Sequence, residues 1–309
     1  MKMGQNKQIL VVGEGSSGKR FIALLKRAGY KPVAYKHQTE SLSKTLIGNF
    51  MAAIIASPTH THAFYAKKLL QKRIPILIEK PVVDKARDAH QILVDARAKK
   101  AKVMVGLNLR FLPVTHLIAD YVQNQKLGRI LFADMHVGQY LPFWRPKKDY
   151  QKTYSAHFHE GGGVALDLIH EIDLAFHWFG NIKLLRAESE HRSDLKMDVE
   201  DFMRMTFDQP FPIQITLDYL SHVPTRRYFI VGTKGTIHCD VYNRIFHFVN
   251  KDGTSVKKTA PELFDISATY KRELDAFLAV VRRKKTIQLT DRSLGIDALG
   301  VALKARKHV

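Results

Sequence analysis

Gln8-Ile9-Leu10-Val11-Val12-Gly13-Glu14-Gly15-Ser16-Ser17-Gly18 decides the fold. Five residues ending in an apolar run precede the spacing Gly13-x-Gly15-x-x-Gly18, and Phe21, Leu24, Leu25 and Ala28 follow at i, i+3, i+4 and i+7. Buried strand, glycine turn and amphipathic helix in that order make a dinucleotide fingerprint out of an otherwise weak glycine pattern. The first glycine permits a tight turn, the second lets a pyrophosphate reach the backbone, and the third lets helix and strand pack closely. The phosphates are expected on the helix N-terminus, where N–H groups and the dipole favour anions. Gly13, Gly15, Ser16, Ser17 and Gly18 are therefore the first coenzyme-binding candidates.

Strand and helix patterns alternate outward from this turn. Lys31–Tyr35 reads as a second strand after Gly29, a good residue to close the first helix, and a short helix is expected around 42–47. Phe50–Ala56 is a buried strand ending at Ser57-Pro58, followed by a helix over about 62–72 and another strand, Ile74–Ile78, ending at Glu79-Lys80-Pro81. Asp84 is placed to cap the next helix, whose Ala89, Ile92, Leu93 and Ala96 share a face. Val103–Leu107 is a fifth strand. This alternation predicts a parallel, doubly wound sheet whose ligands bind at the carboxyl ends of its strands. Gly13, Ser57, Glu79 and Asn108 all fall at such ends.

Beyond about residue 125 the rhythm changes. Ile213–Tyr219 alternates apolar and polar like a half-buried antiparallel strand, and Arg227–Val231 and Thr236–Cys239 flank Gly232-Thr233-Lys234-Gly235. Arg244–Val249 runs into a hairpin turn, Asn250–Gly253, and helices are expected over about 164–179, 267–283 and 291–306. The expected fold class is α/β, with a Rossmann doubly wound sheet over 1–123 and an α+β domain over 124–309. The second is built on an open, mostly antiparallel sheet.

Composition narrows the function classes. The 309 residues include 45% hydrophobic residues, enough for two cores, and a single cysteine, Cys239, which suits a reducing cytoplasm and excludes a disulfide framework. No apolar stretch approaches the roughly 18 residues of a membrane span, and the N-terminal residues lack the apolar core of a secretory signal. Lys+Arg of 49 against Asp+Glu of 29 gives a net charge of +20. The basic residues occur as scattered doublets, with one longer run at Arg282-Arg283-Lys284-Lys285 and no interleaved aromatics. That argues for a solvated surface rather than a nucleic-acid groove, with a field that attracts anionic substrates.

The segments Ser57-Pro58-Thr59-His60-Thr61-His62, Glu79-Lys80-Pro81, Asn108-Leu109-Arg110-Phe111 and Gly161-Gly162-Gly163-Val164-Ala165-Leu166-Asp167-Leu168-Ile169-His170-Glu171-Ile172-Asp173 resemble the Gfo/Idh/MocA family of nicotinamide-dependent oxidoreductases. Gly232–Gly235 is similar to that family's sheet turn. The resemblance implies a coenzyme site including Ser57, Pro58, Thr59, His62, Glu79, Lys80 and Asn108, and a sheet that makes a homodimer or homotetramer. It also places Lys80 beside the nicotinamide, against the reacting oxygen of the substrate.

The chemistry asks for such a group. Taking hydride from a carbinol carbon requires loss of the hydroxyl proton, and a positioned cation stabilises the alkoxide character that develops. The bland alternative is a surface lysine paired with Glu79. Asp167 and His170, at i, i+3 on an expected helix, suit a proton relay in which His170 exchanges the substrate proton and Asp167 orients Lys80 or the substrate. Many family members space this pair i, i+4, so either His170 or Glu171 fills the catalytic place. A capping aspartate and a core histidine are the structural alternatives.

Arg110, Trp144, Arg145 and His157, with His170, are candidates to line the substrate pocket, though Trp144 equally suits a core and the arginines a surface. His157, His159, Glu160, Asp167, His170, Glu171, Asp173 and His177 invite a metal reading, but no HExxH or CxxC spacing occurs, so no metal is expected. NAD-preferring sites carry an acid about 20 residues past the glycines, on the ribose 2′-OH. Here Lys36 and His37 stand in that region and no acid appears until Glu40, which predicts NADP as the preferred coenzyme, with NAD possible. The expected activity is hydride transfer between NAD(P) and a hydroxyl or carbonyl carbon of a sugar, cyclitol or nucleotide-sugar. A non-catalytic NAD(P)-sensing or interaction protein on the same fold is the alternative.

Overall fold

The computed structural model describes residues 7–35, 48–283 and 288–306. Lys36, His37, Glu40 and the short helix expected at 42–47 lie outside the described residues. Compactness divides the chain into two units that are discontinuous in sequence, unlike a single cut at 123/124. One comprises Met1–Leu107 with Tyr270–Ile296, the other Asn108–Thr269 with Asp297–Val309.

The first unit holds a parallel sheet of β1 (Gln8–Val12), β2 (Lys31–Tyr35), β3 (Ala52–Ile55), β4 (Ile76–Glu79) and β5 (Val103–Gly106), in the order β2-β1-β3-β4-β5. Every pairing is parallel, with Val12 opposite Tyr35 on one side and Ile55 on the other. The strands are short and almost wholly apolar because helices cover a parallel sheet on both faces. Burying a side chain such as Ile54 contributes roughly 1.5–3 kcal/mol. The covering helices include α1 (Ser16–Arg27), α2 (His62–Gln71) and α3 (Ala86–Ala98). Ala89, Ile92, Leu93 and Ala96 form the buried face of α3 as expected. Asp84 does not cap α3: Lys85 is the N-cap residue, and no side chain bonds the first turn. The chain leaves β1 toward β2 on one side and returns to β3 on the other, so the carboxyl ends of β1 and β3 form the switch point where open α/β sheets bind ligands.

The second unit is built on an eight-stranded sheet in the order β13-β12-β11-β10-β6-β9-β8-β7. Its strands are β6 (Ile130–Gly138), β7 (Lys183–Glu190), β8 (Phe202–Gln209), β9 (Ile213–Asp218), β10 (Thr225–Gly232), β11 (Gly235–Asp240), β12 (Ile245–Asn250) and β13 (Ser255–Lys258). All neighbours are antiparallel except β6 and β9, which run parallel. The half-buried reading of Ile213–Tyr219 holds only at Gln214: Thr216 and Asp218, expected on a wet face, are also buried. Asp218 lies opposite Gly138, where a Cβ would collide with its carboxyl.

One face of this sheet is covered by α4 (Pro113–Gln123) and α6 (Ile169–Phe179). Trp178 meets Tyr228 edge-on at 4.9 Å, and Tyr121 contacts Phe248 at 4.7 Å. Elsewhere on the sheet Phe132 and Phe229 remain exposed, their rings 6.1 Å apart.

The helix expected over 164–179 is two helices. A single turn, α5 (Val164–Asp167), ends at Leu168 (φ −101°, ψ 24°), and α6 begins at Ile169. Asp167 and His170 therefore do not share one continuous helical face. The last helices are α7 (Thr269–Val281) and α8 (Ile296–Ala305).

Candidate active site

The glycine turn has the geometry of a diphosphate cradle. Gly13 has φ +101°, and a Cβ there would stand 2.5 Å from the Ala56 carbonyl oxygen, so only glycine permits β1 and β3 to approach at the switch point. A Cβ on Gly18 would collide with the carbonyl of Gly13, which makes the third glycine a packing requirement too. Gly15 differs. Its backbone (φ −65°, ψ −170°) suits any residue, and an added Cβ would meet nothing within 4 Å. No steric contact among the described residues calls for a glycine there, whereas a ligand resting on the backbone does. Gly15 is also the N-cap of α1, no side chain caps that helix, and no acid occupies its first turn. The leading N–H groups are thus left for an anion. These residues fit a dinucleotide.

Around the turn, polar groups are held by short bonds. Ser57 Oγ and Thr61 Oγ1 are 2.7 Å apart, and Thr61 donates to the Pro58 carbonyl at 2.7 Å. Thr59 is buried at the head of this short turn. His62 is buried as well. Its Nε2 lies 2.8 Å from the Ser57 carbonyl oxygen and its Nδ1 3.1 Å from that of Pro81. The ring bridges the loop after β3 to the segment after Lys80, and burial holds its pKa below the ordinary value. Glu79 Oε2 accepts the Lys80 amide at 3.2 Å and the Ser17 hydroxyl. Arg20 of α1 lies over the Tyr270 ring, 3.9 Å from its centre. Lys80 itself is half-buried just beyond β4.

In the second unit the structure gathers Asp167, Trp144 and Arg145 around two tyrosines that the sequence did not single out. Tyr154 donates to Asp167 Oδ1 at 2.6 Å and Tyr219 donates to Oδ2 at 2.8 Å. Burial, then the Asp167 charge, pushes both phenols well above their ordinary pKa, so they remain donors. Trp144 packs edge-on against Tyr219 at 5.1 Å and donates Nε1–H to the Gln139 carbonyl. The Arg145 guanidinium lies 5.5 Å from the centre of the Tyr154 ring. No local pattern marks Tyr154 or Tyr219, because the partners are 13 and 52 residues from Asp167.

Several of the other candidates are engaged elsewhere. Glu171 is fully buried in an ion pair with Arg226 at 2.9 Å and accepts the Tyr228 hydroxyl at 3.3 Å, whereas His170 is half-buried. Arg110 spends Nε and Nη2 on Asp173, at 2.8 and 2.5 Å. Asn108 donates to Thr269 Oγ1 at 2.7 Å, and His157 Nε2 donates to the Gln151 carbonyl at 2.7 Å. Among the described residues, no group of three or more His, Cys, Asp or Glu side chains is placed to hold a metal ion.

The triple-glycine segment before α5 is pinned from the far end of the chain. Arg306 donates to the Gly162 carbonyl at 2.7 Å and pairs with Glu200 at 3.6 Å, while Glu200 Oε1 accepts the Ala165 amide.

Comparison with known proteins agrees with this geometry. Residues 33–107 match the oxidoreductase family with an NAD-binding Rossmann fold, and residues 115–238 match the GFO/IDH/MocA C-terminal domain. The chain is 27% identical over 134 residues to the putative oxidoreductase YteT of Bacillus subtilis, covering 41% of this chain and 29% of that protein. The alignments span less than half the length of the curated relatives it matches first. A levoglucosan dehydrogenase solved with NADH and levoglucosan shares the fold at a TM-score of 0.78 and 16% identity, covering 97% of this chain and 96% of that one. A myo-inositol dehydrogenase from Corynebacterium glutamicum ATCC 13032 aligns at 0.71 and 20%, covering 96% of each chain. With both domain profiles matched in order on a parallel sheet and a mostly antiparallel one, the chain belongs to the Gfo/Idh/MocA family of oxidoreductases.

Proposed function

We propose that the protein transfers hydride between a nicotinamide coenzyme and a hydroxyl or carbonyl carbon of a sugar, cyclitol or nucleotide-sugar. The observation that carries this is Gly15, a glycine that neither backbone nor packing requires, at the uncapped start of α1. A bound nicotinamide supplies the hydride acceptor or donor. The Lys80 ammonium then stabilises the oxyanion character that develops on the substrate, His170 exchanges the hydroxyl proton, and Asp167, fixed by Tyr154 and Tyr219, orients its partners. Trp144 and Arg145, clustered with Asp167, are the substrate-lining candidates the geometry supports best. The engaged Glu171 carboxylate favours His170 for the proton step.

NADP as the preferred coenzyme rests on Lys36 and His37 standing where an NAD site carries an acid. Two or four copies associating through the face that exposes Phe132 and Phe229 is the assembly we favour. A cytoplasmic setting suits the single buried Cys239. No helix among the described residues is long and apolar enough to cross a membrane.

A non-catalytic coenzyme sensor is the second reading, favoured by one observation: both Asp167 oxygens already accept tyrosine hydroxyls. Turnover separates the two. Purified protein with NAD or NADP is screened against polyols, sugars and sugar nucleotides by absorbance of the reduced ring, alongside Lys80→Met. Turnover that Lys80→Met abolishes while coenzyme affinity is kept supports the enzyme. Turnover unchanged by Lys80→Met removes that lysine from the mechanism, and coenzyme binding with no turnover on any substrate favours the sensor.

A further inference from the structure

The carboxyl end of the parallel sheet holds a carboxylate that the proposed reaction does not use. Glu273, on the second turn of α7, is 1% exposed, and neither of its oxygens meets a hydrogen-bond donor among the described residues. The charge that bears on it is Glu79, whose Oε1 is also buried without a donor. The other Glu79 oxygen is the one held by the Lys80 amide and Ser17. Ser17 bonds Glu79, the Lys80 and Arg20 charges bear on Glu79, and Tyr270 of α7, beneath Arg20, feels both carboxylates. On β5, a Cβ at Gly106 would stand 3.4 Å from Glu79 Oε2. Two carboxylates shielded together cannot both ionise cheaply, and orphaned buried acceptors carry a full desolvation cost. One proton answers both problems, since a protonated carboxyl gives its neighbour the donor that neighbour lacks.

We propose that Glu273 is a positioning residue for the coenzyme turn: it retains a proton shared with Glu79, leaving a single carboxylate charge locked against the Ser17 hydroxyl and the Lys80 amide. Burial, then the Glu79 charge, drives Glu273 well above the ordinary carboxyl range. Burial raises Glu79 too, while Lys80, Ser17 and Arg20 pull it back. Donors reach Glu79 from the Lys80 amide and Ser17 and none among the described residues reaches Glu273, so Glu79 carries the charge and Glu273 keeps the proton. At alkaline pH the pair gains a second negative charge beside the turn where a diphosphate would rest, and coenzyme binding weakens. The link to coenzyme, but not the shared proton, rests on the hydride-transfer reading.

The test reads the proton and the ligand separately. Infrared pH-difference spectra of the whole wild-type protein should show a protonated carboxyl at neutral pH that titrates on alkalinisation and is missing in Glu273→Gln. Calorimetric titration with NADP and with NAD should show Glu273→Ala weakened by about tenfold. Glu273→Gln, which keeps the shape and a donor, should recover most of that affinity and lose the alkaline decline. A wild-type spectrum with no protonated carboxyl at neutral pH overturns the proposal, as does an alkaline decline that persists in Glu273→Gln. If the wild type binds neither nicotinamide, the hydride-transfer reading fails and the infrared result alone decides the shared proton.

Discussion

Tyr219 donates its phenolic hydrogen to Asp167 Oδ2 at 2.8 Å across 52 residues of chain, and Tyr154 takes the other oxygen. A buried carboxylate is tolerated only when its charge is met by donors. The clamp fixes the rotamer of the acid proposed to orient Lys80 or the substrate.

Tyr219→Phe should cost about 1–3 kcal/mol of stability, because it removes a donor from a buried charged acceptor. Urea unfolding measures it. In a double-mutant cycle with Asp167→Asn the two losses should couple by roughly 0.5–3 kcal/mol. Simple additivity would show that the bond carries no energy.

Gly15→Ala and Gly18→Ala should separate ligand from fold. The second drives a methyl into the Gly13 carbonyl and should lower the melting temperature. The first meets no described atom and should lower melting far less, by no more than a poorer N-cap costs, while weakening coenzyme binding. If Gly15→Ala binds coenzyme like the wild type, no diphosphate lies against that residue.

Arg306→Met strands Glu200, a fully buried carboxylate, beside the glycine segment. Breaking a buried pair from one side typically costs about 3–5 kcal/mol. Adding Glu200→Gln should recover part of that loss, and chemical denaturation of the three proteins provides the comparison.

Acid should expose Asp218. Burial opposes its ionisation, yet His136 at 2.7 Å, the Ser221 hydroxyl and the amides of Ser221 and Leu220 together hold its pKa below the ordinary 3.8. The unfolded carboxyl therefore takes up protons first as pH falls. The stability Asp218 contributes is complete above 3.8 and disappears as pH drops through the lowered folded value. Melting curves of wild type and Asp218→Asn should converge on acidification. A gap that stays constant with pH would contradict this assignment.

Much of the fold was legible because it is locally encoded. The strand, glycine turn and helix at 8–27, the five parallel strands, and the turns at 232–235 and 250–253 each rest on side-chain period and turn residues within a few positions. Reading failed where a local rule had a close competitor. Leu168 breaks a helix with no glycine or proline to announce it, and Asp84 stands one residue from a cap it does not make. β9 alternates like a surface strand, yet Thr216 and Asp218 on its polar face are buried, Asp218 against His136 and Ser221.

The sequence alone determined the architecture and the candidate chemistry: a dinucleotide turn, a lysine at a strand end, an acid and a histidine after three glycines. Only tertiary structure decided what each charged group does. It gave Asp173 to Arg110, Glu171 to Arg226, Asp167 to two tyrosines, and left Glu273 with Glu79 for company. The reason is physical: a backbone bond in a helix or turn has its partner within a few residues, whereas a buried carboxylate must find its donors wherever the packed core delivers them.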